Sequence, residues 1–230
     1  MNYAIITAAG KGTRAHLEVP KQFYKVYNKP LLAYTLEAFQ KCTDIDSIVL
    51  VLSQEYIDEG HAIVKEYGIS KANYFCVGGE TNQMSIFNGF KALSSVAKDN
   101  DIVVVHDGVR CLVSPEIISS NIETCKTKGN GITAIPCNEA MLYTEDGFSS
   151  SKSIDRSKIY KTQTPHSIGF KDGYGLLKRT FERGVANSVA LCTMLIEDGQ
   201  KVYFSKGSNL NFKVTQPEDI ELFECYLNKK

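Results

Sequence analysis

The segment Ala8-Ala9-Gly10-Lys11-Gly12-Thr13-Arg14 is followed closely by Pro20-Lys21-Gln22. Gly10 and Gly12 lack a Cβ, so backbone N–H groups beside them can approach an anion closely. Arg14 brings a planar fork of donors and Lys21 a compact point charge. This combination suits a nucleoside triphosphate that loses pyrophosphate, a reaction that needs positioning and charge neutralisation more than covalent chemistry. Arg14 and Lys21 are therefore the first catalytic candidates.

Two other phosphate motifs fit less well. The chain lacks Gly-x-x-x-x-Gly-Lys-Ser/Thr, so this is no Walker loop. Gly10-x-Gly12-x-x-Ala15 satisfies a loose dinucleotide pattern, but Pro20 interrupts the helix that pattern should open. The second strand also closes Leu50-Val51-Leu52-Ser53, without the acid that would hold a ribose. No Ser/His/Asp or Cys/His arrangement is recognisable. His106, at the end of an apolar run, reads as a satisfied core histidine, and His16 as a solvated side chain.

Apolar runs at Tyr3–Thr7, Ser47–Leu52, Ile102–His106 and Ile132–Pro136 predict strands covered on both faces. Amphipathic stretches at Leu31–Cys42, Gln54–Tyr67, Met84–Ala97 and Pro115–Lys126 predict the helices between them. Ser114-Pro115-Glu116 supplies an N-cap and a first-turn proline. The alternation predicts an α/β fold with a mainly parallel, twisted, Rossmann-like sheet flanked by helices. It places the glycine loop at the carboxyl end of the first strand, where ligands of such sheets bind. Residues 139–160 are polar and irregular and predict a protruding β-arm. Helices at Phe170–Arg183 and Val189–Asp198, a strand at Lys201–Ser205 and a capping box at Thr215–Glu218 before a helix at 216–227 complete the chain. The expectation is one domain, 1–230.

The 230 residues carry 26 Lys+Arg against 26 Asp+Glu. A neutral total argues against a generic nucleic-acid binder and against a polybasic membrane-surface protein. The total hides an uneven distribution: residues 1–30 hold Lys11, Arg14, Lys21, Lys25 and Lys29 against Glu18 alone. Seven scattered cysteines without a Cys-x-x-Cys pair predict reduced thiols and a cytoplasmic location. No apolar run reaches the length of a membrane span.

Strand–Ala-Ala-Gly-x-Gly-x-Arg–x5–Pro-Lys-Gln resembles the cytidylyltransferases that act on 2-C-methylerythritol 4-phosphate and on ribitol 5-phosphate. Further pieces follow in family order: Gly78-Gly79-Glu80-Thr81, Ser85, Asn88-Gly89, Val105–Arg110, Asp155-Arg156, Gln163-Thr164-Pro165 and Asn211–Thr215. The resemblance implies that Arg14, Lys21 and Lys213 act on the phosphates and that Ala8, Ala9, Gly79 and Ser85 hold the cytidine. It further implies that Asp107 holds Mg²⁺ and that Arg110, Arg156 and Thr164 meet the acceptor, Arg156 across a homodimer interface built by the arm. CTP and an alcohol phosphate are the implied substrates.

The chain departs from the family pattern chiefly on the acceptor side. Asn82 stands where an arginine is usual, Arg110-Cys111 where Arg-Pro is usual, and Asn187-Ser188-Val189-Ala190 where a Thr-Asp pair is expected. Residues 136–142 also lack the customary Asp-Thr and lysine. These departures favour a polyol phosphate such as ribitol or glycerol phosphate as acceptor, with methylerythritol phosphate second. A dinucleotide oxidoreductase and a non-catalytic nucleotide-binding relative are the alternatives from other classes.

Overall fold

The apolar runs become strands with both faces covered. In β1 (Asn2–Thr7), Ala4 and Ile6 enter one core cluster and Tyr3 and Ile5 the other, as the period-two alternation of a strand requires. The computed structural model describes residues 1–10 and 19–229. Gly12 and Arg14 therefore lie outside the described residues.

After β1 come a short hairpin, β2 (Lys25–Val26) and β3 (Lys29–Pro30), then α1 (Leu31–Lys41), β4 (Ser47–Leu52) and α2 (Ile57–Glu66). β5 (Ala72–Val77), α3 (Asn82–Leu93), β6 (Ile102–Asp107), α4 (Pro115–Lys128) and β7 (Asn130–Pro136) continue the alternation. A separate hairpin, β8 (Met141–Tyr143) and β9 (Lys152–Ile154), forms the arm. The chain then returns through β10 (Tyr160–Gly169), α5 (Phe170–Glu182), α6 (Leu191–Glu197), β11 (Phe204–Lys206) and α7 (Pro217–Leu227).

The seven-stranded sheet has the order β11-β7-β10-β6-β1-β4-β5. All neighbours are parallel except at β10, which runs against both β6 and β7. The sheet is thus mainly parallel, as expected. Thr7 stands beside both Val51 and Asp107, so the carboxyl ends of β1, β4 and β6 are level and their loops open on one edge.

Helices α1, α2 and α4 cover one face through Leu36, Phe39, Ile63 and Ile118. Helices α3, α5 and α6 cover the other through Ile86, Phe90, Leu176 and Leu195. A buried Leu, Ile or Phe contributes about 1.5–3 kcal/mol relative to exposure, so these two layers carry the stability. Helix α3 lies close on β1 because of Gly89, where an added Cβ would come within 2.6 Å of Ile5 Cγ2. Helix α7 closes a third cluster with Phe223 against Leu31 and Val109.

Helix α4 starts as predicted: Ser114 caps it, accepting from Ile117 N–H, and Pro115 occupies its first turn. It ends at Gly129, in the left-handed conformation (φ 93°) that closes a helix cheaply in glycine. The cap of α7 sits one residue later than the sequence pattern suggests. Asp219, not Glu218, accepts from the backbone N–H groups of Thr215 and Gln216, at 2.7 and 2.9 Å.

Two strands of the seven-stranded sheet had no sequence signal. β5 lies at the sheet edge with a mostly half-buried pattern, so its residues, Ala72–Val77, do not form a bare apolar run. β10 contains Pro165 and the polar residues Thr162 to Ser167, and its register with β7 shifts between Thr162 and His166. Proline has no N–H for the ladder, which is why the segment does not read as a central strand. All seven cysteines are free thiols, four of them buried. Among the described residues no helix is long and apolar enough to cross a membrane.

Candidate active site

Three loops meet at the common strand edge. Ala8 continues β1, its N–H donating to Val51 O at 2.8 Å; Gly78 N–H donates to Leu52 O at 2.7 Å; Gly108 N–H donates to Thr7 O at 2.9 Å. The loops touch because their residues are small. A Cβ on Gly78 would lie 2.3 Å from Ala9 Cβ, and one on Gly79 2.3 Å from Met84 Cβ. Gln22, 2 % exposed, fixes the other side: its side-chain amide donates to Ala8 O at 2.8 Å and Gly10 O at 3.1 Å. Pro20 is extended, and Lys21–Phe23 make a single 3-10 turn that sets Gln22 inward.

These loops enclose a cavity of about 530 Å³, whose walls include Ala8, Ala9, Gly10, Lys21, Gly79 and Ser85. All of the described nucleotide-side candidates therefore come together. Ser85 is buried, and its hydroxyl accepts from Gly79 N–H at 3.1 Å and donates to Thr81 O at 3.0 Å. It holds the Gly79 loop in shape.

A second, smaller cavity of about 240 Å³ adjoins the first, and the two share Thr7, Asn82, Asp107, Val189 and Lys213. At the junction Asp107 ends β6. Its Oδ2 accepts from Arg110 Nε at 3.0 Å and its Oδ1 from Lys213 Nζ at 3.0 Å. Arg110 also donates to Asn211 O at 2.9 Å, and Thr164 Oγ1 accepts from Asp107 N–H at 3.1 Å. Burial alone would raise the Asp107 carboxyl; Lys213 and Arg110 outweigh it and hold the group well below the ordinary carboxylate range. One carboxylate between two cations leaves a local positive excess at the junction.

The loop before α6 is pinned over this junction. Gln83, fully buried, donates to Val185 O and accepts from Ser188 N–H, both at 2.7 Å. Thr81 caps α3 and donates to Ala186 O at 2.6 Å. Val189, left 83 % exposed, lines both cavities. Sequence reasoning did not single out Gln83 or Gln22 as positioning residues; Gln22 was visible as part of a motif, whereas Gln83 left no signal beyond its place on an amphipathic helix.

Arg156 stands apart. It lies on a 3-10 turn after β9, donates to Asn138 O at 2.8 Å, and lines neither cavity of its own chain. His106 is buried as expected but only half satisfied: Nε2 faces Arg110 O at 3.5 Å, and Nδ1 has no partner among the described residues. Burial pushes it down to about 3, so it is neutral at pH 7. For Mg²⁺ the described residues build no cluster of three or more His, Cys, Asp or Glu side chains. Asp107 is a single carboxylate where the two cavities meet. Such a donor suits Mg²⁺, which commonly takes one or two carboxylates together with substrate phosphates.

A glycine-edged cavity at the carboxyl ends of parallel strands, joined to one lined by cations, has the layout that a nucleotidyltransferase needs. The comparisons narrow that class. Residues 2–229 match the family model described as IspD: 2-C-methyl-D-erythritol 4-phosphate cytidylyltransferase. The chain belongs to that family of cytidylyltransferases. It is 35% identical to a ribitol-5-phosphate cytidylyltransferase of Lacticaseibacillus paracasei, over 99% of this chain and 98% of the relative. It is 36% identical to a 2-C-methyl-D-erythritol 4-phosphate cytidylyltransferase of Clostridium acetobutylicum, over 100% and 98%. The crystal structure of 4-diphosphocytidyl-2C-methyl-D-erythritol synthase from Anaerococcus prevotii superposes with a TM-score of 0.85 at 26% identity, covering 99% of this chain and 98% of that one.

Proposed function

We propose that this chain transfers CMP from CTP to a linear polyol phosphate, with ribitol 5-phosphate as the preferred acceptor, giving a CDP-alcohol and pyrophosphate. The observation that carries this reading is the junction of the two cavities at Asp107 and Lys213, which would set an acceptor phosphate beside a nucleotide α-phosphate. An acceptor phosphate oxygen attacks the α-phosphorus, a new O–P bond forms, and the bond to the β-phosphate bridging oxygen breaks. The attacking oxygen is already ionised at neutral pH, so no strong base is required.

Each residue then has a task. Ala8, Ala9, Gly10, Gly12 and Gly79 offer backbone to the cytidine and phosphates, with Ser85 shaping the loop. Lys21 and Arg14 neutralise charge gathering on the α-phosphate and the leaving pyrophosphate. Lys213, Arg110 and Thr164 receive the acceptor. Asp107 would hold Mg²⁺, which would supply charge neutralisation to the phosphates.

Both kinds of relative are about equally similar in identity, so the acceptor choice rests on this chain's own residues. Asn82 and Val189, at positions where the family pattern has an arginine and a Thr-Asp pair, both face the shared region of the cavities. We further propose a cytoplasmic homodimer, with the arm as the dimer element. Its Leu142 and Phe148 are 64% and 97% exposed, and Arg156 lines neither of the two adjoining cavities of its own chain. The deciding experiment is a pyrophosphate-release screen of CTP, UTP, GTP and ATP against sugar and polyol phosphates. Turnover with CTP and ribitol 5-phosphate is expected. A far better rate with 2-C-methylerythritol 4-phosphate would overturn the acceptor assignment.

A further inference from the structure

The smaller cavity contains a polar group that neither the fold nor the proposed reaction uses. His166 lies on β10, paired with Val105 of β6 and Ile132 of β7. Cross-strand partners point to the same face of a sheet, and Val105 and Ile132 both belong to the cluster beneath α3, α5 and α6. The His166 ring therefore enters that side, where Ile86, Val105 and Leu191 wall the cavity. His106 on β6 alternates to the opposite face, where its ring meets Phe39 at 5.0 Å, though the residue also lines this cavity and the nearby His166 opposes its protonation.

His166 is 2% exposed, and its Nε2 has no hydrogen-bond partner among the described residues. Buried polar groups are nearly always partnered, and an exception calls for an explanation. Burial pushes His166 down to about 4, against the attraction of Asp107, so the ring at pH 7 is neutral. A neutral imidazole presents one donor and one acceptor nitrogen.

The missing partner can be characterised by elimination. The uncharged ring itself gives an anion little, and Arg110 and Lys213, which line the same cavity, are the groups that would take one; Arg110 is near enough to oppose protonation of the ring. The other ring nitrogen donates to the Gln163 backbone carbonyl, so Nε2 is left as an acceptor that needs a donor. A hydroxyl supplies one and a carbonyl does not.

We propose that His166 is a specificity-determining residue whose Nε2 hydrogen-bonds a chain hydroxyl of the acceptor, while Arg110, Lys213 and Thr164 take its phosphate. The inference rests on the reading of this cavity as the acceptor site and adds what that reading lacks, a group that recognises the polyol chain itself. An acceptor without the hydroxyl at that point leaves the ring unpartnered, which is how a buried polar group discriminates.

The test combines a binding signal with kinetics. In ¹⁵N-labelled enzyme holding a CTP analogue with a methylene bridge between the α- and β-phosphorus, the His166 Nε2 resonance is assigned by its loss in His166→Gln. Saturating ribitol 5-phosphate is expected to shift it. In pyrophosphate-release assays His166→Leu is expected to raise the ribitol 5-phosphate KM about tenfold with a smaller change in kcat. His166→Gln should recover part of that loss, and CTP binding should keep its Kd. A resonance unmoved at saturation, or an unchanged KM in both variants, overturns the proposal. If the wild-type enzyme releases no pyrophosphate with any alcohol phosphate while the resonance still shifts, the reaction assignment falls and the hydroxyl contact stands. The wild-type resonance decides the matter even where a variant fails to fold.

Discussion

Lys213 Nζ donates to Asp107 Oδ1 at 3.0 Å across 106 positions of sequence. The pair joins the end of β6 to the loop that precedes α7, and it stands where the two cavities meet. Arg110 occupies the other Asp107 oxygen. Both cations are thus held in place by a carboxylate before any phosphate arrives, which reduces the ordering they must undergo when substrate binds.

Replacing that carboxylate separates its structural and metal roles. Asp107→Asn leaves Arg110 and Lys213 without their shared counter-charge. The expected loss of stability is on the order of 2 kcal/mol, discounted because Lys213 is partly exposed. The Mg²⁺ concentration giving half-maximal pyrophosphate release should also rise. An unmoved Mg²⁺ dependence would remove Asp107 from the metal assignment.

Lys21 and Arg156 can be tested together. Lys21→Ala should lower kcat by about 10²–10³-fold, the usual cost of one preorganised charge-stabilising donor. Arg156→Ala should chiefly raise the acceptor KM. If Arg156 serves the partner's site, mixing the two variants yields heterodimers with one intact site. Activity at limiting acceptor should then recover toward roughly a quarter of wild type. No recovery on mixing would place Arg156 outside the partner's site.

Gln22 holds Ala8 O and Gly10 O with a single buried amide. Gln22→Leu leaves two carbonyls without that donor and should cost about 1–3 kcal/mol in denaturant unfolding. The CTP KM should increase with it, since the loop loses its anchor. A destabilised variant with unaltered CTP affinity would show that the loop shape is set elsewhere.

Acid should weaken the fold through His166. Its folded value is depressed to about 4 by burial, against about 6.5 in an unfolded chain. Between those values the unfolded state binds a proton that the folded state does not, so stability falls as pH drops from about 6.5 to about 4. The full effect is on the order of 3 kcal/mol. Unfolding curves for His166→Gln should be flatter across that window, with His106 supplying the residual slope. Identical slopes for the two proteins would contradict the neutral buried ring.

The extent to which the sequence anticipated this site follows from what sets each contact. β1, β4, β6 and β7 are bare apolar runs because both their faces are covered, and they were legible. Gly10 and Lys21 were legible as a glycine turn beside a cation, whereas Asp107 was singled out only through the resemblance to the family, because a carboxylate at a strand end is common in turns. Gln83 and Gln22 were not identified as positioning residues, because a glutamine turned inward has the same letter as one on the surface. β10 escaped because it mixes polar side chains with a proline, and its tasks at Gln163, Thr164 and His166 require that mixture. Gln163 donates to Ser208 O at 2.7 Å, and Asn211 donates to Thr164 O at 2.8 Å, contacts between segments far apart in the chain.

The reversed direction of β10 has one more consequence. A parallel strand delivers its last residues to the catalytic edge, but β10 delivers its first ones, and β7 finishes at that same edge. The arm is the insertion between them, so it is rooted on the rim of the acceptor cavity. A partner holding the arm would therefore act close to that cavity. If the proposed dimer forms through the arm, dilution below its dissociation constant should lower acceptor affinity while leaving the affinity for CTP unchanged.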